Sequence, residues 1–174
     1  MRVRHVNRQE DLYLEDYSSY WALLERPFKC TCFCLERPEM TAIIQNNSIG
    51  KVREPFSCCD PLYHLINNKN EVRFKICANC CQCGLICRNS CGRCAEVDFP
   101  IYPGNSDTFS NENSVGSIKK VFSGMQELVS DATNFKIQFP QNATPEEKLL
   151  LISTTLMIDF RHFEDTPGEN SQQQ

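Results

Sequence analysis

Glycine, histidine and positive charge are all scarce in this sequence. Seven glycines in 174 residues leave little material for a nucleotide-cradling loop. No GxSxG, HExxH or phosphate-loop glycine pattern is present. The three histidines, His5, His64 and His162, are scattered, and each reads as structural or solvated. No bond-making catalytic constellation emerges, so the chain does not read as an enzyme. The formal net charge is −4. A domain that grips phosphate backbones shows a basic excess, so nucleic acid is not expected as the main partner.

Long apolar runs are missing too. No hydrophobic stretch follows Met1-Arg2-Val3-Arg4-His5, so no secretory signal peptide is expected. The most apolar segment, Leu149–Ile158, contains Ser153, Thr154 and Thr155 and runs straight into Asp159, Arg161 and His162. A bilayer core of roughly 30 Å needs about 20 apolar residues, whereas ten helical residues reach only about 15 Å. The segment therefore reads as a helix buried in protein, with Leu149, Leu150, Ile152, Leu156 and Met157 among its most buried side chains.

Cysteine is abundant: twelve residues. Without a leader the thiols are expected to start reduced, which turns attention to lipidation, metal ligation or redox chemistry. Cys30, Cys32 and Cys34 alternate, so an extended segment puts them on one face. Phe28 and Phe33 flank them, with Arg26 and Lys29 just upstream. Thioester-linked acyl chains here would hold the chain on an anionic leaflet, stably once two or more are attached. Unmodified cysteines on a strand remain the alternative. Seven more cysteines fall in residues 77–94. Cys77/Cys80 and Cys91/Cys94 have CxxC spacing, and four thiolates would satisfy a tetrahedral zinc ion. A cysteine-rich hairpin loop, lipidated or inert, is the competing reading.

Elsewhere the patterning is mostly that of strands. Thr41–Gln45 and Ser48–Arg53 read as extended segments around an Asn46–Asn47 turn, and Tyr63–Ile66 and Val72–Ile76 as a second pair around Asn67–Asn70. Glu96–Tyr102 places Val97, Phe99 and Ile101 on one face, and Val115–Lys119 suggests a further strand. Gly104–Asn113 is a polar loop, and Phe122, Met125 and Val129 have helical spacing over residues 121–130. From Asn134 to Pro140, Phe135, Ile137 and Phe139 alternate with Lys136 and Gln138, as in a half-buried strand. Thr144, Pro145 and Glu147 supply an N-cap, a first-turn proline and a capping box for the Leu149–Ile158 helix. Residues 1–23 are charged and aromatic with no placeable pattern, and residues 166–174 read as a disordered tail.

Several segments together resemble the phospholipid scramblases. Leu24-Glu25-Arg26-Pro27-Phe28-Lys29-Cys30 resembles the entry to their palmitoylated segment. Cys94-Ala95-Glu96-Val97-Asp98-Phe99, Val115–Lys120, Asp131-Ala132-Thr133-Asn134-Phe135-Lys136-Ile137-Gln138-Phe139-Pro140 and Met157-Ile158-Asp159-Phe160 follow in the family's order. The resemblance covers residues 24–165, with 77–94 as a cysteine-rich insertion and 1–23 as a divergent segment. It implies a β-rich, tubby-like closed barrel around a buried hydrophobic C-terminal helix, here lacking some N-terminal strands. By resemblance the activity is bidirectional, ATP-independent movement of phospholipids between leaflets, nominally calcium-activated. Covalent palmitate at Cys30, Cys32 and Cys34 would anchor the chain at the cytoplasmic face of the plasma membrane, with cytoplasm or nucleus open to an unacylated form.

The family's calcium loop maps onto Asp131 and the residues after it. An EF-hand-like loop draws oxygens from positions 1, 3, 5, 7, 9 and 12, here Asp131, Thr133, Phe135, Ile137, Phe139 and Asn142. Only Asp131 carries a carboxylate; Thr133 and Asn142 replace expected acids, and Lys136 replaces a glycine. Micromolar calcium binding is therefore not expected from these residues. Two other functions stay open: a lipid-anchored regulatory protein without transport, and a zinc-binding adaptor using Cys77, Cys80, Cys91 and Cys94.

Overall fold

The computed structural model describes residues 2–6, 11–16, 19–26, 37–86, 96–121 and 134–163, with side chains from Ala22 onward. Ten antiparallel strands form one sheet in sequence order: β1 (Arg2–Val6), β2 (Asp11–Asp16), β3 (Ser19–Glu25), β4 (Glu39–Ile44), β5 (Asn47–Arg53), β6 (Leu62–Asn67), β7 (Val72–Cys77), β8 (Val97–Pro103), β9 (Gly116–Val121) and β10 (Asn134–Gln138). The short helix α1 (Cys83–Ile86) lies between β7 and β8, and α2 (Pro145–His162) closes the chain. Among the described residues no ladder joins β1 to β10. The sheet is a half-barrel with α2 packed against it, the β-rich, tubby-like arrangement that the resemblance implies.

Turn chemistry sets the hairpins. Gln45 and Asn46 both adopt positive φ, 48° and 65°, as the two central residues of a type I′ turn require. The turn thus sits one residue earlier than the Asn46–Asn47 pair suggested. Between β6 and β7, Asn67 Oδ1 accepts hydrogen bonds from the backbone N–H groups of Lys69 and Glu71, each at 2.9 Å, and Asn70 takes a positive φ of 61°. Asparagine suits both roles because its short side chain bonds locally and tolerates the left-handed region.

From β4 to β9 alternate residues turn to one buried face, which α2 meets chiefly at β4, β5 and β6. Met40 and Ala42, Val52, Tyr63 and Leu65, Phe74 and Ile76, then Val97, Phe99 and Ile101, and Ile118 form the buried face. Residues 1–23 were not assignable from their pattern, yet they supply β1, β2 and most of β3. Of the short helix expected over residues 121–130, Val121 instead ends β9 and the rest lies outside the described residues, as does the tail 166–174.

The α2 start follows the sequence closely. Thr144 Oγ1 accepts from the Glu147 N–H at 3.3 Å, and Glu147 Oε2 accepts from the Thr144 N–H at 2.9 Å, a reciprocal capping box with Pro145 in the first turn. Leu149, Leu150, Leu151, Met157 and Ile158 are buried, and so are Ser153, Thr154 and Thr155. The three hydroxyls donate to the carbonyls of Leu149, Leu150 and Leu151 at 2.9, 2.8 and 3.0 Å. That bonding removes the cost of burying them without water. Ile152 and Leu156, expected among the deepest residues, are only half-buried. With Phe160, also half-buried, they form an i, i+4, i+8 row along one side of the helix. The opposite sides meet β4, β5 and β6.

Close approach of helix and sheet depends on Gly50. Its φ of +152° disfavours an L side chain, and a Cβ there would come within 2.4 Å of the Ile66 carbonyl oxygen and 2.9 Å of Leu150 Cδ1. Leu150→Ala is expected to lower the unfolding free energy by about 2–5 kcal/mol. Ile152→Ala should lower it by clearly less. Urea denaturation followed by circular dichroism checks both, and equal losses would mean the Ile152 side is as well covered as the Leu150 side.

Candidate functional site

The strand order sends alternate connections to the same end of the sheet. Arg53 at the end of β5 pairs with His64 near the start of β6, and Leu62 pairs with Cys77 at the end of β7. Val97, opening β8, pairs with Lys120 near the end of β9, and Asn134, opening β10, pairs with Val121. Glu39, opening β4, pairs with Arg53, and Glu25, ending β3, pairs with Thr41. The β3–β4, β5–β6, β7–β8 and β9–β10 connections therefore leave from one rim.

The C-terminal end of α2 is fixed at that rim by charge and by a buried phenol. Glu54, only 7% exposed, receives Arg37 Nη2 on Oε1 at 2.6 Å and faces Arg161 Nε across 3.7 Å from Oε2. Tyr63 is fully buried, and its hydroxyl is 2.9 Å from His162 Nε2. Burial first, and the nearby Glu54 carboxylate second, raise the Tyr63 phenol pKa, so the group stays protonated and can donate to the imidazole. The His162 ring also lies 6.3 Å from that of Phe99. Three ring contacts complete the attachment: Arg26 sits 5.5 Å over Phe160, Lys120 4.3 Å over Phe163, and Phe135 5.9 Å from Phe163. None of these pairings was visible in the sequence, because each joins residues distant along the chain.

Thiols collect at the same rim. Cys58 and Cys59 lie on the β5–β6 connection, and Cys80, Cys81 and Cys83 on the β7–β8 connection. Cys77 closes β7 and is partly covered. Asp60 ties the two connections together by accepting from the Cys80 backbone N–H at 2.9 Å, and the Ala78 N–H donates to the Pro61 carbonyl at 3.1 Å. Gln82 docks the second connection onto β8, accepting from the Asp98 N–H at 2.7 Å and donating to the Asp98 carbonyl at 2.9 Å. A cleft of about 520 Å³ lies beside these contacts, lined by Asp60, Cys77, Gln82, Asp98, Tyr102 and Phe109 among others.

Three of these thiols are held above the ordinary thiol range. The Cys80 pKa is pushed up to about 11 by hydrogen bonds to Cys81 and Asp60 and by burial. Burial, then Asp60, pushes Cys77 up to about 11 as well. A hydrogen bond to Cys58 heads the causes that raise Cys59, and the charges of Asp60 and Cys81 act in the same direction. Cys80 Sγ and Cys81 Sγ are 3.9 Å apart.

The expected site residues are distributed as follows. Of the proposed zinc set, Cys77 and Cys80 flank the Asp60 turn, while Cys91 and Cys94 lie outside the described residues. Among the described residues, no group of three or more His, Cys, Asp or Glu side chains is arranged to hold a metal ion. Cys30, Cys32 and Cys34 lie outside the described residues, but Arg26 and Arg37 on either side of that segment stand at this rim. Asp131 and Thr133 are also outside them, and Asn142 is exposed in the turn before α2. Cys58, Cys59 and Asp60 were missed by sequence reasoning. Their only sign was a Cys-Cys-Asp-Pro run between two strand segments. Among the described residues no helix is long and apolar enough to cross a membrane.

Two outcomes follow from the rim's electrostatics. Glu54→Gln strips the carboxylate from two guanidinium groups and is expected to cost roughly 3 kcal/mol, the low end for breaking a buried ion pair because Arg161 is half-exposed. Combining Arg37→Met with Glu54→Leu should restore much of the loss, and a double-mutant cycle of chemical denaturation checks it. His64 stands directly opposite Arg53 and Lys75 in the ladders. Burial, then these two cations, lowers its pKa. The unfolded chain then binds the His64 proton more readily than the folded one. The stability this histidine contributes is complete above the unfolded value of about 6.5 and is lost as pH falls through it toward the lowered folded pKa. Denaturation from pH 7.5 to 5 should show His64→Gln flattening this decline.

Comparison with known proteins places residues 21–165 within the match to the Scramblase family model. The chain is 33% identical over 151 residues to phospholipid scramblase 2 of Bos taurus, covering 84% of this chain and 47% of that protein. It is 34% identical over 151 residues to phospholipid scramblase 1 of Homo sapiens, covering 84% of this chain and 43% of that protein. Against phospholipid scramblase 1 of Mus musculus the identity is 33% over 151 residues, covering 84% and 42%. The chain thus spans a little under half the length of these curated relatives. No solved structure matches.

Proposed function

The chain belongs to the scramblase family, and from that premise we propose that it moves phospholipids between membrane leaflets while attached to one face of the bilayer. The observation that carries this reading is α2, which packs against β4, β5 and β6. It is fixed at one end by Arg73–Glu147, 2.7 Å, and at the other by Glu54 and Tyr63. Pulling α2 into a bilayer would expose the sheet's apolar face, take Arg161 away from Glu54 and remove His162 from the buried Tyr63 hydroxyl. The domain therefore works from the membrane surface, with attachment through thioester lipids at Cys30, Cys32 and Cys34 and phospholipids as substrate. The plasma membrane's cytoplasmic face is the proposed location.

Calcium control is proposed to be weak. Residues 134–138 form β10, paired with β9 along its whole length. Phe135 packs toward Phe163 from this strand, and Ile137 packs against the core. An extended, paired strand does not wrap a cation, so Asp131 would need oxygens from elsewhere. A regulatory role without transport is the second reading, favoured by the same enclosed helix.

Purified full chain in liposomes with fluorescent phospholipid and dithionite is the direct test. Lipid flipping above the protein-free rate, unchanged by micromolar calcium, is expected. Protein bound to vesicles without any acceleration would leave the regulatory reading. Isothermal titration giving a low-micromolar calcium affinity abolished by Asp131→Ala would overturn the calcium statement.

A further inference from the structure

We propose that Cys58, Cys59, Cys80, Cys81 and Cys83 form a second S-acylation site, which seats the half-barrel end-on against the membrane. The proposal rests on the membrane-attached reading above and adds which end of the fold faces lipid.

Three observations support it. The five cysteines sit on two connections at one rim, held together through Asp60 and Cys80. Four of them, Cys58, Cys59, Cys81 and Cys83, are exposed. The two most exposed large apolar side chains among the described residues lie on these same two connections: Phe56 at 66% and Ile86 at 68%. Exposed thiols bracketed by exposed apolar side chains are what a lipid-facing rim needs, since attached acyl chains and the apolar side chains enter the same layer. The third observation is positional. Arg26 and Arg37, which bound the Cys30–Cys34 segment, stand at this rim, and Arg37 lies 6.0 Å over the Phe56 ring. The segment that carries the first cysteine group thus departs from and returns to the rim that carries the second. A single chain gives reversible attachment, whereas several on one rim give stable attachment with a defined orientation.

The chemistry is an acyl transfer. A cysteine Sγ attacks the carbonyl carbon of a long-chain acyl thioester, a new S–C bond forms, and the donor thiolate leaves. The cysteine proton ends on the released thiol, and no net oxidation or reduction occurs. The base that takes the cysteine proton comes from a membrane-bound acyltransferase, since among the described residues no cationic group lowers Cys59 or Cys80, and both are raised by their thiol and Asp60 neighbours.

The test uses full-length chain expressed in cells that contain such acyltransferases. N-ethylmaleimide blocks unmodified thiols, neutral hydroxylamine cleaves thioesters, and the released thiols are tagged and located by peptide mass spectrometry. Hydroxylamine-dependent tags are expected on Cys58–Cys59 and Cys80–Cys83 peptides of the unaltered chain. They should persist when Cys30, Cys32 and Cys34 are all replaced by Ala, and that triple variant should keep part of its membrane partition. Adding Cys→Ser at the five positions should abolish the remaining tags and shift the protein to the soluble fraction. Full maleimide blockade of the five thiols in unaltered chain would overturn the proposal. So would release by reductant alone, which marks disulfides. Mapping on unaltered chain needs no variant to fold. It is also independent of lipid flipping, so failure here leaves the scramblase reading standing, and the reverse.

Discussion

One packing constraint governs this molecule: a helix that is apolar around most of its circumference must be covered by a sheet that reaches it closely. Leu149, Leu150, Leu151, Met157 and Ile158 are buried together with three hydroxyl side chains. The hydroxyls are tolerated because each returns its hydrogen bond to the carbonyl one turn earlier. Gly50 provides the closest approach, since a methyl group there would collide with the neighbouring strand and with Leu150. The alternation of β4 through β9 follows from the same requirement, as every second residue must enter the core cluster that α2 completes.

The two ends of α2 are held differently. At its start, the capping box is local, whereas Arg73 on β7 reaches the buried Glu147 across 74 residues at 2.7 Å. At its end, Glu54 and Tyr63 meet the half-exposed Arg161 and His162, again across long chain separations, and ring contacts to Phe160 and Phe163 are added. Glu147, Glu54 and Tyr63 are all buried, so breaking either attachment leaves a buried polar group short of a partner. The C-terminal end stands at the rim from which the β5–β6 and β7–β8 connections leave. This is also the thiol-bearing rim.

Much of the architecture was legible because it depends on short-range pattern. Thr144, Pro145 and Glu147 announce the helix start, and Val97, Phe99 and Ile101 announce β8 with its buried face. The asparagine turns were legible to within a residue. β1 and β2 were not, because Leu12 and Leu14 alone are too short an alternation to mark a strand, and strand identity there comes from the ladder of β1 on β2 and β2 on β3. The row of Ile152, Leu156 and Phe160 was misjudged as deep core because hydropathy alone does not say which side of a helix the strands cover. The thiol rim was legible only in fragments. Cys30–Cys34 and Cys77–Cys94 stand out by density, whereas the quiet pair Cys58–Cys59 joins them only through strand order. Antiparallel order places every second connection at the same rim, and that convergence is a property of topology rather than of any local motif.

The central claim is that α2 is an internal strut of the half-barrel before any membrane is met. Amide hydrogen exchange on the lipid-free chain tests it most directly. If α2 is part of the core, residues 149–158 exchange only through global unfolding, with the same free energy as the central strands β5 and β6. If those amides exchange quickly in solution and become protected only when vesicles are added, the helix is a membrane element rather than a core element, and the account is wrong.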